Sequence, residues 1–268
     1  MRERIDSLTN KKIKLAASLT NRKHRTREGL FLAEGIRLAE MAAGSGWGLR
    51  YALYTAEMAR QSRGSDLLDQ LERQECPLYE VPDTLYRKVS ATDTPQGILL
   101  VMEQKKNCLA ELPAAENGLY VILDGVQDPG NAGTIIRTAD SVGADAVILM
   151  KGAVDVFGEK TVRAAMGSLF HLPVCDEVSL EELQDFAVTR ELKVYATALD
   201  ETARPHFEQD FTQKCAIVFG NEGNGVSAKL LQSAVKTYIP MYGQAESLNV
   251  GMSAAIVLYE AVRQRQFS

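Results

Sequence analysis

At 268 residues, 46% hydrophobic and 24% charged, the chain has the make-up of one large or two ordinary globular domains, which excludes a disordered or fibrous protein. Its apolar runs are strand-length, far below the roughly 18 residues that a membrane-crossing helix needs, and residues 1–20 lack the apolar stretch of a secretory signal; the expectation is a cytoplasmic protein with no membrane partner. The formal net charge of −5 is unevenly spread, because residues 1–27 hold nine Lys/Arg against Glu3 and Asp6, a net of +7 that leaves −12 on the rest.

Such asymmetry fits an RNA-gripping segment on an acidic body, although a solvated helix face has the same composition. Ile5, Leu8, Ile13, Leu15 and Leu19 recur at roughly helical spacing and predict a helix over residues 5–20. Asn21-Arg22-Lys23-His24-Arg25 then crowds positive charge at an expected turn. A strand near residues 30–33, a helix over 34–43, a strand over 49–54, helices through Leu71 and a buried strand over 97–102 complete a small α/β sandwich. The hydrophobic pattern lapses between Glu103 and Gly118 around Pro113. The expected division is therefore a first domain at 1–105, a linker at 106–117 and a second domain at 118–268.

Residues 119–123, 146–150, 194–197 and 215–219 are near-continuous apolar strands of the kind buried on both faces of a parallel sheet. Helices fit between them at 131–142, 159–165 and 180–188, and a long one runs from about Asn249 to the end. The four cysteines and three histidines are scattered without ligand spacing, so no metal is expected.

Ligands of open α/β sheets collect beyond the C-terminal strand ends, where three turns stand out. After Leu123 comes Asp124-Gly125-Val126-Gln127-Asp128-Pro129-Gly130-Asn131-Ala132-Gly133, leading to Arg137. Asn131 is placed to cap the next helix; Arg137 is open to two readings, an anion-binding guanidinium or one half of a surface pair with Asp140. After Phe219, Gly220, Gly223 and Gly225 let backbone approach a ligand while Glu222 adds a carboxylate, and Ser227 is a candidate cap. No Walker-type Gly-Lys-Ser/Thr is present, and the loop's place after the last of the four strands argues against a nicotinamide cofactor. The third turn, from Ile239-Pro240-Met241 to Ser247-Leu248-Asn249-Val250, starts the final helix; Asn249 also reads as a plain cap.

Taken in order, these turns resemble the three motifs of the SpoU, or TrmH, family of SPOUT methyltransferases: Asn131-x-Gly133-x-x-x-Arg137, Ile217 through Ser227, and Ile239 through Val250. Asn21-Arg22-Lys23-x-Arg25 followed by Phe31-Leu32-Ala33-Glu34-Gly35 is more loosely similar to the family's N-terminal substrate-binding domain, related in fold to a ribosomal protein. The resemblance implies a parallel sheet closed into a deep trefoil knot, a homodimer, and S-adenosyl-L-methionine bound around Thr197, Gly220, Asn221, Gly223, Ile239, Met241, Leu248 and Asn249. It further implies methylation of a ribose 2′-hydroxyl in structural RNA, ribosomal before transfer RNA, with Arg137, Asn131, Glu222, Ser247 and Asn249 as catalytic or orienting residues. Arg22, Lys23, Arg25 and Arg137 are the candidate RNA contacts. Glu222 is a second candidate for proton acceptor, since a guanidinium stays protonated at ordinary pH. One departure is Gly251, where many family members carry Ser. Competing expectations are methylation of a base nitrogen in tRNA and a non-catalytic RNA-binding protein with the same fold.

Overall fold

The computed structural model describes residues 2–267; Met1 and Ser268, the outer ends of the two expected domains, lie outside them. The chain divides into two compact units, Met1–Lys105 with Phe157–Phe170, and Lys106–Val156 with His171–Ser268.

The first unit contains β1 (Arg2–Arg4), α1 (Lys11–Ser18), α2 (Arg22–Glu28), β2 (Leu30–Glu34), α3 (Ile36–Gly44), β3 (Leu49–Tyr54), α4 (Ala56–Arg60), α5 (Ser62–Arg73), β4 (Leu78–Glu80), α6 (Asp83–Tyr86) and β5 (Ile98–Glu103). Its five-stranded sheet has the order β1-β4-β3-β5-β2, with β5 antiparallel to both neighbours. The helix expected over 5–20 starts only at Lys11, because the Asn10 side chain accepts the Lys12 N–H at 2.9 Å and caps it there. Leu8 is left exposed while Ile5, Ile13 and Leu19 enter the core with Tyr51, Leu53 and Val101.

The turn expected at 21–25 is instead the start of α2, capped by the Asn21 side chain on the Lys23 N–H at 2.9 Å. Arg and Lys are good helix formers, so crowded charge did not mark a break. This helix turns Arg25 inward. It is 6% exposed, and its guanidinium donates to the Leu19 carbonyl at 2.6 Å, satisfying the end of α1. Arg25 is therefore a structural cation and not the surface RNA contact that its sequence neighbours suggested, whereas Arg22 and Lys23 remain exposed.

The second stretch of chain forms β6 (Leu119–Asp124), α7 (Pro129–Ser141), β7 (Ala146–Met150), α8 (Glu159–Ala164), β8 (Val174–Val178), α9 (Leu180–Thr189), β9 (Lys193–Thr197), β10 (Arg204–Pro205), β11 (Cys215–Gly220), α10 (Ala228–Ser233), β12 (Val235–Tyr238) and α11 (Val250–Phe267). Of these, α8 belongs to the first unit, where the Phe157 ring packs 5.1 Å from Phe31 and Phe170 lies 5.4 Å from Trp47. The remainder builds a seven-stranded sheet in the order β10-β12-β9-β11-β6-β7-β8, every adjacent pair parallel. The four apolar runs are its central strands. The flanking strands β8, β10 and β12 lacked that signature because their residues include Asp176, Glu177, Arg204 and Lys236, which only strands with a wetter face tolerate.

Residues 106–117, expected as a linker, pack with this unit, and Leu112 joins the core cluster of Tyr120 and Phe186. At the other end of the chain, Arg265 donates to the carbonyls of Asn117 (2.7 Å), Phe211 (2.8 Å) and Gln213 (2.9 Å). One guanidinium thus pins α11 to the segments that enter β6 and β11, the two strands on which the candidate site stands. Among the described residues no helix is long and apolar enough to cross a membrane.

Candidate active site

The strand order reverses direction between β6 and β11, with β7 and β8 to one side and β9 and β12 to the other. Loops diverge at such a point and leave a crevice beyond the strand ends. The loop after β11 is folded by its own residues. A Cβ on Gly220 would meet the Gly225 carbonyl carbon at 2.1 Å and the Val226 nitrogen at 2.2 Å, so backbone passes backbone where only glycine fits. Asn221 and Gly225 exchange backbone hydrogen bonds of 2.9 Å each. The Asn221 carbonyl oxygen accepts the N–H groups of Gly223 (2.9 Å) and Asn224 (3.0 Å), and its amide donates to the Gly125 carbonyl (2.8 Å). Asn221 thereby shapes one turn and fastens it to the next. Ser227 stands at the start of α10 without a side-chain capping bond; its N–H donates to the Asp124 carboxylate at 2.7 Å.

Asn131 is not the cap of α7. Asp128 takes that place, accepting the Asn131 N–H at 2.7 Å, because Pro129 in the first turn starts the helix earlier than the apolar pattern indicates. The Asn131 side chain is thereby freed to link the three turns. Its amide donates to Glu222 at 2.9 Å, and its carbonyl oxygen accepts from the Asn249 amide at 2.8 Å. Glu222 also accepts the N–H groups of Gln127 (3.2 Å) and Asp128 (3.1 Å). Desolvation in the crevice pushes the Glu222 carboxyl up, but the donors, Asn131 foremost, outweigh it and hold the group below the usual carboxylate range.

Asn249 does both things its position allowed. Its carbonyl oxygen accepts the Gly251 and Met252 N–H groups at 2.9 and 3.3 Å, capping α11, while its amide reaches Asn131. A Cβ on Gly251 would lie 3.1 Å from the Asn249 Oδ1 and 3.2 Å from Thr134, so glycine suits the close approach of α11 to α7 at this point. Arg137 lies one turn beyond buried Gly133, exposed and without a partner among the described residues. The alternative pair with Asp140 is not formed; Asp140 faces the His171 ring at 3.5 Å.

A cavity of about 690 Å³ opens beside this network, lined by Thr197, Gly220, Asn221, Glu222, Gly223, Ile239, Met241, Ser247, Leu248 and Asn249. All the expected cofactor residues thus meet around one space, although the Asn221 side chain is already engaged within its loop. Asn131 and Arg137 stand outside the lining on α7, Asn131 joined to it through Glu222 and Asn249. Leu199, Tyr238 and Glu246 also line it and were missed; only their position after strand ends, not any motif, pointed to them. The volume falls within the range of about 300–1,000 Å³ typical of small-molecule sites. Leu199, Ile239, Met241 and Leu248 offer apolar walls for a flat ring, and backbone of residues 220–226 together with the Glu246 carboxylate offers polar partners for a cationic amino acid. The residues present fit S-adenosylmethionine.

Residues 118–259 match the SpoU rRNA Methylase family, and residues 10–100 match the MRM3-like substrate binding domain. A Bacillus subtilis 23S rRNA (guanosine(2553)-2′-O)-methyltransferase is 39% identical over 96% of this chain and 98% of its own length. A Streptomyces viridochromogenes 23S rRNA (uridine(2479)-2′-O)-methyltransferase is 35% identical over 93% of this chain and 88% of its own. Among solved structures, an AdoMet-bound rRNA methyltransferase from Sinorhizobium meliloti superposes with a TM-score of 0.89 at 32% identity, covering 100% of this chain and 99% of that one. The SpoU methyltransferase AviRb from Streptomyces viridochromogenes, in complex with AdoMet, gives 0.87 at 33% identity over 97% of this chain and 99% of that one. With ordered motifs, fold and cavity in agreement with a match that spans more than half of its length, this chain belongs to the SpoU rRNA methylase family.

Proposed function

We propose that this protein methylates a ribose 2′-hydroxyl of ribosomal RNA with S-adenosylmethionine as donor. The observation that carries the reading is the hydrogen-bonded chain Glu222–Asn131–Asn249, which ties the three turns together over the cavity while leaving Arg137 free. Bound S-adenosylmethionine would supply an activated methyl group on a positively charged sulfur. Residues 220–226, Ile239, Met241 and Leu248 hold that donor, and Thr197 closes the far wall. Ser247 and Asn249 set the start of α11 at the cavity edge. Arg137 binds an RNA phosphate and stabilises negative charge growing on the attacking oxygen, a role a permanently charged guanidinium suits better than proton removal. Glu222, occupied by three donors, orients Asn131; its lowered pKa makes it a weak base for the 2′-hydroxyl proton.

The unit of residues 1–105 with 157–170 serves as the RNA-holding domain and that of residues 106–156 with 171–268 as the catalytic one, with exposed Arg22 and Lys23 among the RNA contacts. A homodimer is supported by Met252, Ile256 and Tyr259, an exposed apolar stripe along α11. The deep trefoil knot is supported by the return of the 239–249 segment to Asn131 after β12 has already been laid into the sheet. A cytoplasmic site of reaction is supported by a ribosomal RNA substrate.

The test is calorimetric titration with S-adenosylhomocysteine, followed by transfer of labelled methyl to ribosomal RNA stripped of modifications. Binding with label recovered on ribose is the expected result. Label on a base would move the protein to the other methylation class, and absence of binding at millimolar ligand would leave only the RNA-binding reading.

A further inference from the structure

The first unit has a second crevice, of about 460 Å³, for which methyl transfer has no use. It opens between the start of α3, residues 91–96 and α8, and its walls include Arg37, Leu38, Thr92, Thr94, Arg163 and Met166. Arg37 and Arg163 are exposed and have no hydrogen-bond or ion-pair partner among the described residues. The surrounding loop is held without help from any ligand. Glu34 accepts from Ser90 (2.5 Å), Thr92 (3.1 Å), the Ala91 N–H (3.2 Å) and Tyr86 (3.3 Å), and Gln96 accepts the Ile36 N–H at 2.8 Å.

An adjoining hollow shares Glu34, Leu38, Ala91 and Arg163 with this crevice and reaches Glu159. One buried oxygen of Glu159 has no hydrogen-bond partner, a condition that buried polar atoms rarely keep unless something else satisfies them. Burial, aided by the charge of Glu34, holds this carboxyl above the usual range against the charges of Arg25 and Arg163. Glu34 and Asp93 are the carboxylates of the lining; Glu34 is taken up by its four donors, which leaves Arg37, Arg163 and Asp93 as the charged groups open to a ligand.

Paired guanidinium groups at a rim take up a phosphate, an apolar floor takes the face of a base, and a carboxyl beneath meets the base's polar edge. We propose that this crevice holds an unpaired nucleotide of the RNA substrate, distinct from the nucleotide that is methylated. Phosphate lies on Arg37 and Arg163, the base rests on Leu38 and Met166, and its edge faces the hollow of about 10 Å³ over Glu159, where one water can bridge the two. The inference rests on the reading of the protein as RNA-binding. It also gives a purpose to residues 157–170, which lie between β7 and β8 in sequence yet fold with the first unit and deliver Arg163 and Met166 to the crevice.

The experiment measures fluorescence anisotropy of labelled single-stranded RNA of about 12 nucleotides, within the usual span of single-strand sites, against the full chain. Variants are the double charge reversal Arg37→Glu/Arg163→Glu, its conservative counterpart Arg37→Lys/Arg163→Lys, and Thr94→Trp, which fills the crevice from an exposed position. Charge reversal is expected to weaken binding by roughly tenfold or more, as loss of two phosphate contacts does; the lysine pair should retain most of the affinity and Thr94→Trp should lose it. Circular dichroism and the melting transition should be unchanged in all three, which shows that they fold, and S-adenosylhomocysteine affinity should be unchanged as well. In methyl transfer, KM for RNA should rise with kcat preserved. RNA affinity and KM unchanged by charge reversal and by Thr94→Trp would overturn the crevice even if methyl transfer is observed. If the wild type transfers no methyl while charge reversal still releases RNA, the crevice stands and the enzyme reading falls.

Discussion

Glu222 and Glu159 are two carboxylates at the edges of two crevices, and the fold drives them in opposite directions. Around Glu222, an amide side chain and the backbone N–H groups of Gln127 and Asp128, just ahead of α7, converge, so the ion is favoured despite desolvation. Around Glu159, burial and the charge of Glu34 outweigh the charges of Arg25 and Arg163, one oxygen is left without a donor, and the carboxyl is held above the usual range. The contrast shows that a carboxylate's charge state follows from the donors the backbone brings to it, more than from the residues beside it in sequence.

The largest effect should come from the group that the Glu222 network leaves free. Arg137→Ala is expected to lower the rate of methyl transfer by about 10²–10³, the usual loss on removing a charge-stabilising donor, with S-adenosylhomocysteine affinity within a few-fold by calorimetry. Loss of both together would make Arg137 structural, and the division of labour with Glu222 would collapse. Next, Glu222→Ala leaves the Asn131 amide and two backbone N–H groups without their acceptor, which should cost about 1–2 kcal/mol in denaturant unfolding and weaken cofactor binding through the loosened loop. A variant with native stability and affinity would show that water replaces the carboxylate at no cost.

The smallest effects are in pH, and their signs are opposite. Because the folded pKa of Glu222 is depressed, its contribution is present above the unfolded value of about 4.3 and is lost as pH falls through the folded pKa. The Glu159 pKa is raised, so its ionisation destabilises the fold as pH rises from about 4.3 toward the folded pKa. Melting curves of Glu222→Gln should therefore flatten relative to wild type on the acid side. Those of Glu159→Gln should gain stability near neutrality, and a loss there would mean that the ionised carboxylate has a hydrogen-bond donor after all.

Much of the candidate site was legible in the sequence. Gly220, Gly223 and Gly225 announced a backbone-lined turn, and the order of the three turns placed Arg137, Glu222 and Asn249 in one family pattern. Leu199, Tyr238 and Glu246 were not legible, because they enter the cavity through the position of loops at strand ends and belong to no short motif. Arg25 misled for a related reason: one residue in a basic run is drawn into the core by a carbonyl that needs a donor, and composition does not say which.

By itself, the sequence determined the parallel sheet, through its runs of buried β-branched residues, and the chemical class of the site, through glycines and polar residues that follow those runs. Tertiary structure alone decided the partners: Asn131 with Glu222 and Asn249, residues 157–170 with the first unit, and Arg265 with the carbonyls of Asn117 and Gln213. These contacts join segments that lie 91, 118, 148 and 52 positions apart in the hydrogen bonds concerned. Local periodicity carries no information over such distances, and the pairing is set by which polar groups the closed sheet brings within hydrogen-bond reach.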